Sequence, residues 1–174
     1  MAKLEIIHAP DPRLKRICRS VERVDDDVRR LMDDMLETMH AADGIGLAAA
    51  QVDVLRRVIV VSVRREGAEP LTLRMANPEV IEASDEQRVW EEGCLSFPEQ
   101  YADVSRPKKV RVRYLDYENE IREIEDDGLL ATCVQHEIDH LDGITFVDHI
   151  SALKRNMILR KMKKAKRQAE TVPA

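Results

Sequence analysis

Two histidines four residues apart, His136 and His140, have the spacing in this sequence that most directly suggests chemistry. Side chains four apart on a helix share one face, so both imidazoles can point at one metal ion. Glu137 follows the first histidine, where its carboxylate can reach a metal-bound water, as in the H-E-x-x-H pattern. A surface helix that carries two histidines by chance is the alternative, but the chain has only five. We therefore predict a metal site on a helix at about 129–141.

A catalytic metal site needs a third protein ligand and an open position for water. Phe146 stands where one protease pattern has its third histidine. Cys133 lies on the helix face of the histidines, but about 10.5 Å of helix rise separates it from His140. Cys94, in the segment EEGCLSFPE, follows a glycine and lies outside the helical pattern. Cys94 with the two histidines is the best construction, although an inert buried thiol stays open for Cys94.

The segment GIGLAAAQ, residues 44–51, is rich in small residues. It does not fit a nucleotide-binding loop, because Ala49 occupies the last glycine position of G-x-G-x-x-G and no Walker lysine follows. Its glycines would instead let the backbone approach a ligand, and Gln51 would supply an amide donor for an oxyanion. A glycine helix cap followed by a packed small-residue segment explains the same residues equally well.

The elements that must position these residues follow from hydrophobic periodicity. Apolar residues at three- and four-residue steps predict a helix at about 25–42, ended by Asp43-Gly44. β-Branched or alternating runs predict short strands at 57–63, 71–75, 79–83, 109–117 and 121–124. A last helix is predicted at about 151–168. Helices at both ends with strands between them predict an α+β fold rather than alternating βαβ units.

Length and composition predict one soluble domain over residues 1–174. The chain shows no signal peptide and no run of about 18 apolar residues, so we expect no membrane span and a cytoplasmic location. Three cysteines, an odd number, make a disulfide framework a poor fit. Cys18 is interpreted as a small core residue.

Charge is unevenly distributed along the chain. Residues 151–174 carry eight Lys or Arg and one acid, Glu170, whereas the first 150 residues carry 20 basic and 32 acidic side chains. Leu153, Met157, Ile158 and Met162 recur at helical spacing and can dock one face on the body of the protein. A solvated charged face explains the remaining residues, and a contact with RNA phosphates is the alternative.

Three segments together resemble the signature motifs of peptide deformylases. They are GIGLAAAQ at 44–51, EGCLS at 92–96 and QHEIDHLDG at 135–143, in the family's order. PDPRL, NPE and DGLLATC are also similar, so the resemblance covers most of the chain, and the length resembles the shorter bacterial form. It implies an α+β domain with antiparallel sheets around a central metal-binding helix. It also implies removal of the formyl group from the N-terminal formylmethionine of new polypeptides, with release of formate.

The resemblance implies roles for individual residues. Cys94, His136 and His140 would bind one divalent metal, iron(II) in the cell, replaceable by nickel, cobalt or zinc. A metal-bound water would attack the formyl carbon with Glu137 as general acid and base. The Gln51 side chain and the backbone amide of Leu95 would hold the oxyanion. The substrate-binding residues are expected to be Gly46, Ile45, Glu92, Cys133, Leu129 and Trp90.

One position departs from the family pattern. Many bacterial members have a basic residue after the Glu-Gln of the second motif, and here Tyr101 follows Glu99-Gln100. Substrate contacts at the mouth of the site are therefore expected to differ. The expected partners are the N-formylmethionyl peptide and, through the basic helix, the ribosome; no membrane or DNA partner is expected.

Two other functions compete with this one. A metallopeptidase would use the same histidines, but it needs a third His or Glu that the sequence does not offer convincingly. An RNA-binding module with a structural metal would usually have four protein ligands, and only three are evident here.

Overall fold

The computed structural model describes residues 2–171. These residues form an α+β fold in which a five-stranded antiparallel sheet and a two-stranded hairpin surround one helix, as the sequence and the family resemblance predicted. The helices are α1 Asp26–Ala41, α2 Leu129–Leu141 and α3 Ala152–Thr171. The strands are β1 Gly46–Ala48, β2 Val58–Arg65, β3 Ala68–Ala83, β4 Gln87–Cys94, β5 Phe97–Pro107, β6 Val110–Leu115 and β7 Ile121–Asp126. Short 3-10 helices occupy Pro12–Lys15, Ala49–Val52 and Phe146–His149.

Helix α1 begins and ends where the sequence predicted. The Asp25 carboxylate accepts a hydrogen bond from the Val28 backbone N–H at 3.0 Å, which caps the first turn. Met32, Met35 and Met39 repeat at helical spacing and are fully buried. They join a core cluster with β1 and β2, so α1 covers one face of the large sheet.

The large sheet has the order β1-β2-β3-β6-β7, and β1 lies at its edge. The prediction of two strands separated by Asn77-Pro78 was wrong, because β3 runs continuously through a bulge. The register to β6 shifts between Ala76 and Glu79, and Asn77 has a φ of 48°. The Asn77 side chain bonds the N–H and carbonyl of Val21 at 2.9 and 2.8 Å. A tertiary contact therefore stabilises the bulge at Asn77, where the local sequence had predicted the end of a strand.

Strands β4 and β5 form a hairpin that the sequence analysis did not predict. The sequence of β4, QRVWEEGC, carries too many charged residues for a clear apolar alternation. The hairpin packs through Phe97 and Val104 against Phe146, whose ring centroid is 5.2 Å from that of Phe97. This hairpin matters for function because Cys94 is its last β4 residue.

Helix α2 has the predicted bounds and is the most buried helix of the fold. Its apolar residues pack against β2, β3 and β6 in the main core cluster. The chain leaves the helix through Gly143, where φ is +73° and an added Cβ would collide with the carbonyl oxygen of Lys15. Only glycine fits this exit, since both the backbone conformation and the close contact exclude a side chain.

Helix α3 extends from the body of the protein along a narrow line of contact. Ile158 and Met162 are buried, whereas Leu153 and Met157 are 73% and 50% exposed. The prediction that all four dock on the body was therefore wrong for Leu153 and Met157. Within residues 2–171, no helix is both long and apolar enough to cross a membrane.

Candidate metal centre

Cys94, His136 and His140 come together from two elements of the fold. Cys94 lies at the end of β4, and both histidines lie on the face of α2 toward the hairpin. One ligand atom from each residue lies within 4.8 Å of the other two, and Cys94 Sγ is 3.3 Å from His140 Nε2. Thiolate and imidazole ligands suit zinc and iron(II), with bonds of about 2.0–2.3 Å. These residues therefore fit one divalent metal ion.

His140 is completely buried in this cluster. Its Nδ1 has no hydrogen-bond partner among the described residues. Burial lowers the pKa of His140 well below its ordinary value, and the nearby cations act in the same direction. The imidazole is consequently held neutral, which is the form that binds a metal.

His136 is oriented by a buried carboxylate. Its Nδ1 donates to Glu92 Oε1 at 2.8 Å, which leaves Nε2 toward Cys94 and His140. Burial by itself raises the pKa of Glu92, but hydrogen bonds from His136 and Arg106 outweigh it and lower the pKa to about 2. Burial lowers the pKa of His136, while its bonds to Cys94 and Glu92 raise it well above its ordinary value.

Arg106 extends this contact into a buried network. Its Nε and Nη2 donate to the two Glu92 oxygens at 2.6 and 3.0 Å, and Nη1 donates to Asp139 at 2.8 Å. His149 Nε2 lies 2.8 Å from the same Asp139 oxygen. The network joins the hairpin, α2 and the 3-10 helix that follows α2, and it fixes Glu92 behind the metal ligand.

Glu137 is the buried acid of the cluster. It is 4% exposed, and its Oε2 has no partner among the described residues. Burial raises the pKa of Glu137 to about 7, and the neighbouring Glu92 adds to the increase, although His136 opposes it. A carboxyl group with this pKa can both accept and donate a proton near neutral pH.

Gln51 lies beside the cluster with its orientation fixed at both ends of the amide. Oε1 accepts from the Ala48 N–H at 2.9 Å, and Nε2 donates to Ser96 Oγ at 3.0 Å. The same Nε2 is 3.5 Å from Cys94 Sγ. The alanines of the GIGLAAAQ segment are packed in the core and its amide faces the candidate site. The predicted glycine cap was wrong, because Asp43, with a φ of 56°, takes the left-handed position after α1.

Two cavities open beside the cluster. A groove of about 550 Å³ is lined by residues 42–46, 93–95 and 97–101, with Glu137 at its inner end. Leu95 and Gly46 both line it. A Cβ on Gly46 would lie 2.6 Å from Glu137 Oε1, so the glycine allows the backbone of β1 to approach the acid.

A smaller pocket of about 90 Å³ is also lined by Glu137. Its lining includes five of the predicted substrate-binding residues, which are Ile45, Trp90, Glu92, Leu129 and Cys133. Burial raises the pKa of the Cys133 thiol well above its ordinary value, and its Sγ lies 3.6 Å from the Ile45 carbonyl oxygen. Cys133 is thus a wall residue that remains protonated. The roles of these wall residues in substrate binding stay predictions.

Several residues of the site were not found from the sequence. Arg106 had no local signal, since only tertiary packing brings it to Glu92. Asp139 lies inside the HEIDH segment, three residues after His136, and its place on the same side of the helix could have indicated a supporting role. Ser96 lies within EGCLS but was not singled out. Cys18 is buried in the core, as predicted.

Comparison with known proteins agrees with this geometry. The family model described as polypeptide deformylase matches residues 3–156. A peptide deformylase of Methylocella silvestris is 58% identical over 163 residues, which are 92% of this chain and 83% of the relative. One from Phenylobacterium zucineum is 53% identical over 164 residues, 94% of this chain and 97% of the relative.

Solved structures give the same result. The crystal structure of peptide deformylase from Ehrlichia chaffeensis matches with a TM-score of 0.92 at 40% identity, covering 97% of this chain and 99% of that one. The match therefore extends through the sheet, the hairpin and all the helices that build the site, and the resemblance inferred from the three motifs is confirmed. This chain belongs to the polypeptide deformylase family.

Proposed function

We propose that the cluster around Glu137 carries out the reaction for which the family is named, the removal of the formyl group from the N-terminal formylmethionine of new polypeptides. The observation that carries the proposal is the buried Glu137 oxygen, which has no partner among residues 2–171 and lies beside Cys94, His136 and His140 at the inner end of a groove. A structural metal site would not need an acid with a pKa of about 7 beside it.

Cys94, His136 and His140 would hold the metal ion. A divalent metal bound there supplies Lewis acidity, which makes water nucleophilic at neutral pH. We propose iron(II) as the ion in the cell, with nickel, cobalt and zinc able to replace it. The thiolate of Cys94 suits each of these ions, since all of them accept sulfur and imidazole ligands.

Glu137 would handle the protons of the reaction. Its carboxylate accepts the proton that the attacking water loses, and the resulting acid donates a proton to the amine that leaves as formate is released. A pKa of about 7 makes both steps accessible at one pH. Because Glu137 is only 4% exposed, bulk water cannot compete for the same proton.

Gln51 and Leu95 would stabilise the negative charge that develops on the formyl oxygen. The Gln51 amide is held by Ala48 and Ser96, so its Nε2 cannot turn away while charge develops. Donors that are fixed before the reaction stabilise a transition state without reorganisation. The backbone N–H of Leu95, which follows Cys94 directly, would be the second donor.

The peptide would lie in the groove as an added strand. β1 is an edge strand, and Gly46 lets its backbone come close to the reacting group. Pairing between the main chains of β1 and the peptide would give affinity without requiring a particular peptide sequence.

The methionine side chain would enter the pocket lined by Ile45, Trp90, Leu129 and Cys133. Glu92, whose carboxylate is engaged by Arg106 and His136, would contribute to that wall and hold His136 in place.

The basic face of α3 is proposed to contact the ribosome. Its lysines and arginines are largely exposed, and clustered cations neutralise RNA phosphates. We also propose a cytoplasmic location, where new polypeptides emerge. Removal of residues 161–174 should weaken co-sedimentation with ribosomes at low salt, while formate release from a free peptide is retained. Unchanged co-sedimentation would contradict the proposed contact between α3 and the ribosome.

The first test of the function is formate release from a formyl-Met-Ala-Ser peptide. The protein is purified anaerobically with iron(II), beside a Cys94→Ala variant and a Cys18→Ala variant that alters a buried thiol outside the cluster. Release that disappears only with Cys94→Ala supports the proposal. No release by a folded, metal-loaded protein would contradict it and would leave a different hydrolase on the same fold.

A further inference from the structure

His149 lies at the outer end of a chain of hydrogen bonds that reaches His136. A carboxylate only accepts hydrogen bonds, so Asp139 takes one from His149 Nε2 and one from Arg106 Nη1, each at 2.8 Å. Arg106 also donates to Glu92, and Glu92 accepts from His136 Nδ1. Each acceptor in this hydrogen-bond chain therefore lies between two donors, and His149 carries its proton on Nε2 to complete the pattern.

The 3-10 helix Phe146–His149 contacts the same candidate metal ligand a second time, through its first residue. The Phe146 ring stacks on the His136 ring, with 6.1 Å between the centroids and 23° between the planes. Phe146 is in turn held by the edge of Phe97, at a centroid distance of 5.2 Å. The first residue of this 3-10 helix thus contacts the face of the imidazole, while the last residue reaches its Nδ1 through hydrogen bonds.

Contacts outside the hydrogen-bond chain fix the position of this 3-10 helix. Asp148 Oδ2 accepts from the Thr145 N–H at 2.9 Å, and Lys15 Nζ lies 2.6 Å from the same oxygen. The two apolar residues of the 3-10 helix are buried in a core cluster with the hairpin and α3. His149 is therefore presented to α2 from a backbone that is held in place by other contacts.

The contact between Arg106 and Asp139 is open to competition from water. Side-chain exposure rises from 5% at Glu92 to 20% at Asp139 and 34% at His149. Solvent weakens an ion pair that it can reach. His149 occupies a hydrogen-bonding position on Asp139 that water would otherwise take, and it holds the carboxylate in its place beside Arg106.

We propose that His149 is a positioning residue for the metal centre. By bonding Asp139, it fixes the Arg106 guanidinium. Arg106 then keeps the Glu92 carboxylate against His136, so that His136 Nε2 stays directed toward the other two candidate ligands. Loss of the His149 donor should therefore speed metal release. This inference deepens the proposed function and rests on it for the effect on turnover, whereas the effect on metal release does not depend on the reaction.

The test measures how fast bound cobalt(II) passes to an excess of a chelating dye. His149→Phe keeps an aromatic ring but removes the N–H donor. It should release cobalt about three- to tenfold faster, a smaller effect than the loss of a direct partner of a ligand would have. His149→Gln keeps an N–H donor and should release cobalt at close to the wild-type rate. The control is His40→Phe, which replaces an exposed histidine in the last turn of α1 and should have no effect.

A double variant tests whether His149 acts through Asp139. Asp139→Asn alone should speed cobalt release more than His149→Phe does. Adding His149→Phe to it should change nothing further, because both substitutions interrupt the same hydrogen-bond chain. Effects that multiply would show that His149 acts by another route and would overturn the inference. Equal release rates for wild type and His149→Phe, or a His149→Gln variant as fast as His149→Phe, would overturn it as well.

Formate release from the formyl-Met-Ala-Ser peptide separates this inference from the proposed function. In fully cobalt-loaded protein, His149→Phe should lower kcat about threefold and leave KM unchanged, as expected for a change at the reacting centre. A change in KM alone would place the effect in peptide binding and overturn the inference. If no protein releases formate, wild type included, the proposed function fails, and the cobalt release rates still decide the role of His149.

Discussion

Glu92 Oε1 lies 2.8 Å from His136 Nδ1, although 44 residues separate the two in the chain. Arg106 bonds both oxygens of the same carboxylate, so Glu92 has little freedom to move. The contact ties the β4–β5 hairpin, which carries Cys94, to the helix that carries the histidines. The geometry of the three candidate ligands therefore depends on a carboxylate that is not itself a ligand.

Glu92→Gln should weaken metal binding roughly 10–100-fold, because a neutral amide orients His136 less strongly and leaves Arg106 without its charged partner. Competition with a chelating dye measures the affinity. The matched control is Glu86→Gln, which removes an exposed carboxylate that lies just before β4 and is paired with Lys108. Equal affinities for wild type and Glu92→Gln would show that the contact does not support the site.

The low pKa of Glu92 predicts a loss of stability in acid. A carboxyl group lowered from 4.5 to about 2 stabilises the fold fully above pH 4.5, and this contribution disappears as the pH falls toward 2. The contribution is roughly 3 kcal/mol. Urea unfolding of the metal-stripped protein should therefore show a gap between wild type and Glu92→Gln that narrows from pH 5 to pH 3. A difference in unfolding free energy that stays the same from pH 5 to pH 3 would contradict the low pKa of Glu92.

Glu137→Gln should abolish turnover while the metal is retained. The amide cannot accept a proton from water, so kcat should fall about 10²–10⁴-fold. Metal content by elemental analysis should stay near that of the wild type, because Cys94, His136 and His140 are unchanged. A variant that loses its metal together with its activity would assign Glu137 to the ligand set instead.

The raised pKa of Glu137 predicts the opposite effect on stability. A carboxyl group whose pKa is raised from 4.5 to about 7 costs almost nothing below pH 4.5, destabilises the fold increasingly as the pH rises toward 7, and has a constant cost at higher pH. The metal-stripped Glu137→Gln variant should consequently be more stable than the wild type at pH 8, by on the order of 3 kcal/mol, and nearly equal at pH 4.5. Urea unfolding at the two pH values gives the comparison.

Gly46→Ala should lower kcat/KM by at least about tenfold. The added carbon would lie 2.6 Å from Glu137 Oε1 and 2.9 Å from Cys133 Sγ, so either the acid or the β1 backbone must move. Gly128→Ala is the control, since its added carbon meets nothing nearer than the Asp126 carboxylate at 3.5 Å. Steady-state kinetics with the formylated peptide would measure the effect. A fully active Gly46→Ala enzyme would show that the close approach of the β1 backbone to Glu137 is not needed for catalysis.

The sequence by itself determined the parts of the protein that depend on neighbouring residues. Helix α2 has the predicted bounds, and His136 and His140 share a face, because helical spacing acts over a single turn. The three motifs were enough to indicate the family and to select Cys94, which the geometry then places beside both histidines. The roles of Glu137, Gln51 and Leu95 in the reaction stay predictions.

Only the tertiary structure decided the parts that depend on distant residues. The β4–β5 hairpin lacks a clear alternation, and Arg106 reaches Glu92 and Asp139 through packing that no local pattern encodes. The bulge at Asn77 is likewise held by a side-chain contact to Val21. Cys94 and His140 lie 46 residues apart in the chain and 3.3 Å apart in space. Their meeting depends on burying the hairpin against α2, since core packing, rather than local propensity, sets such long-range distances.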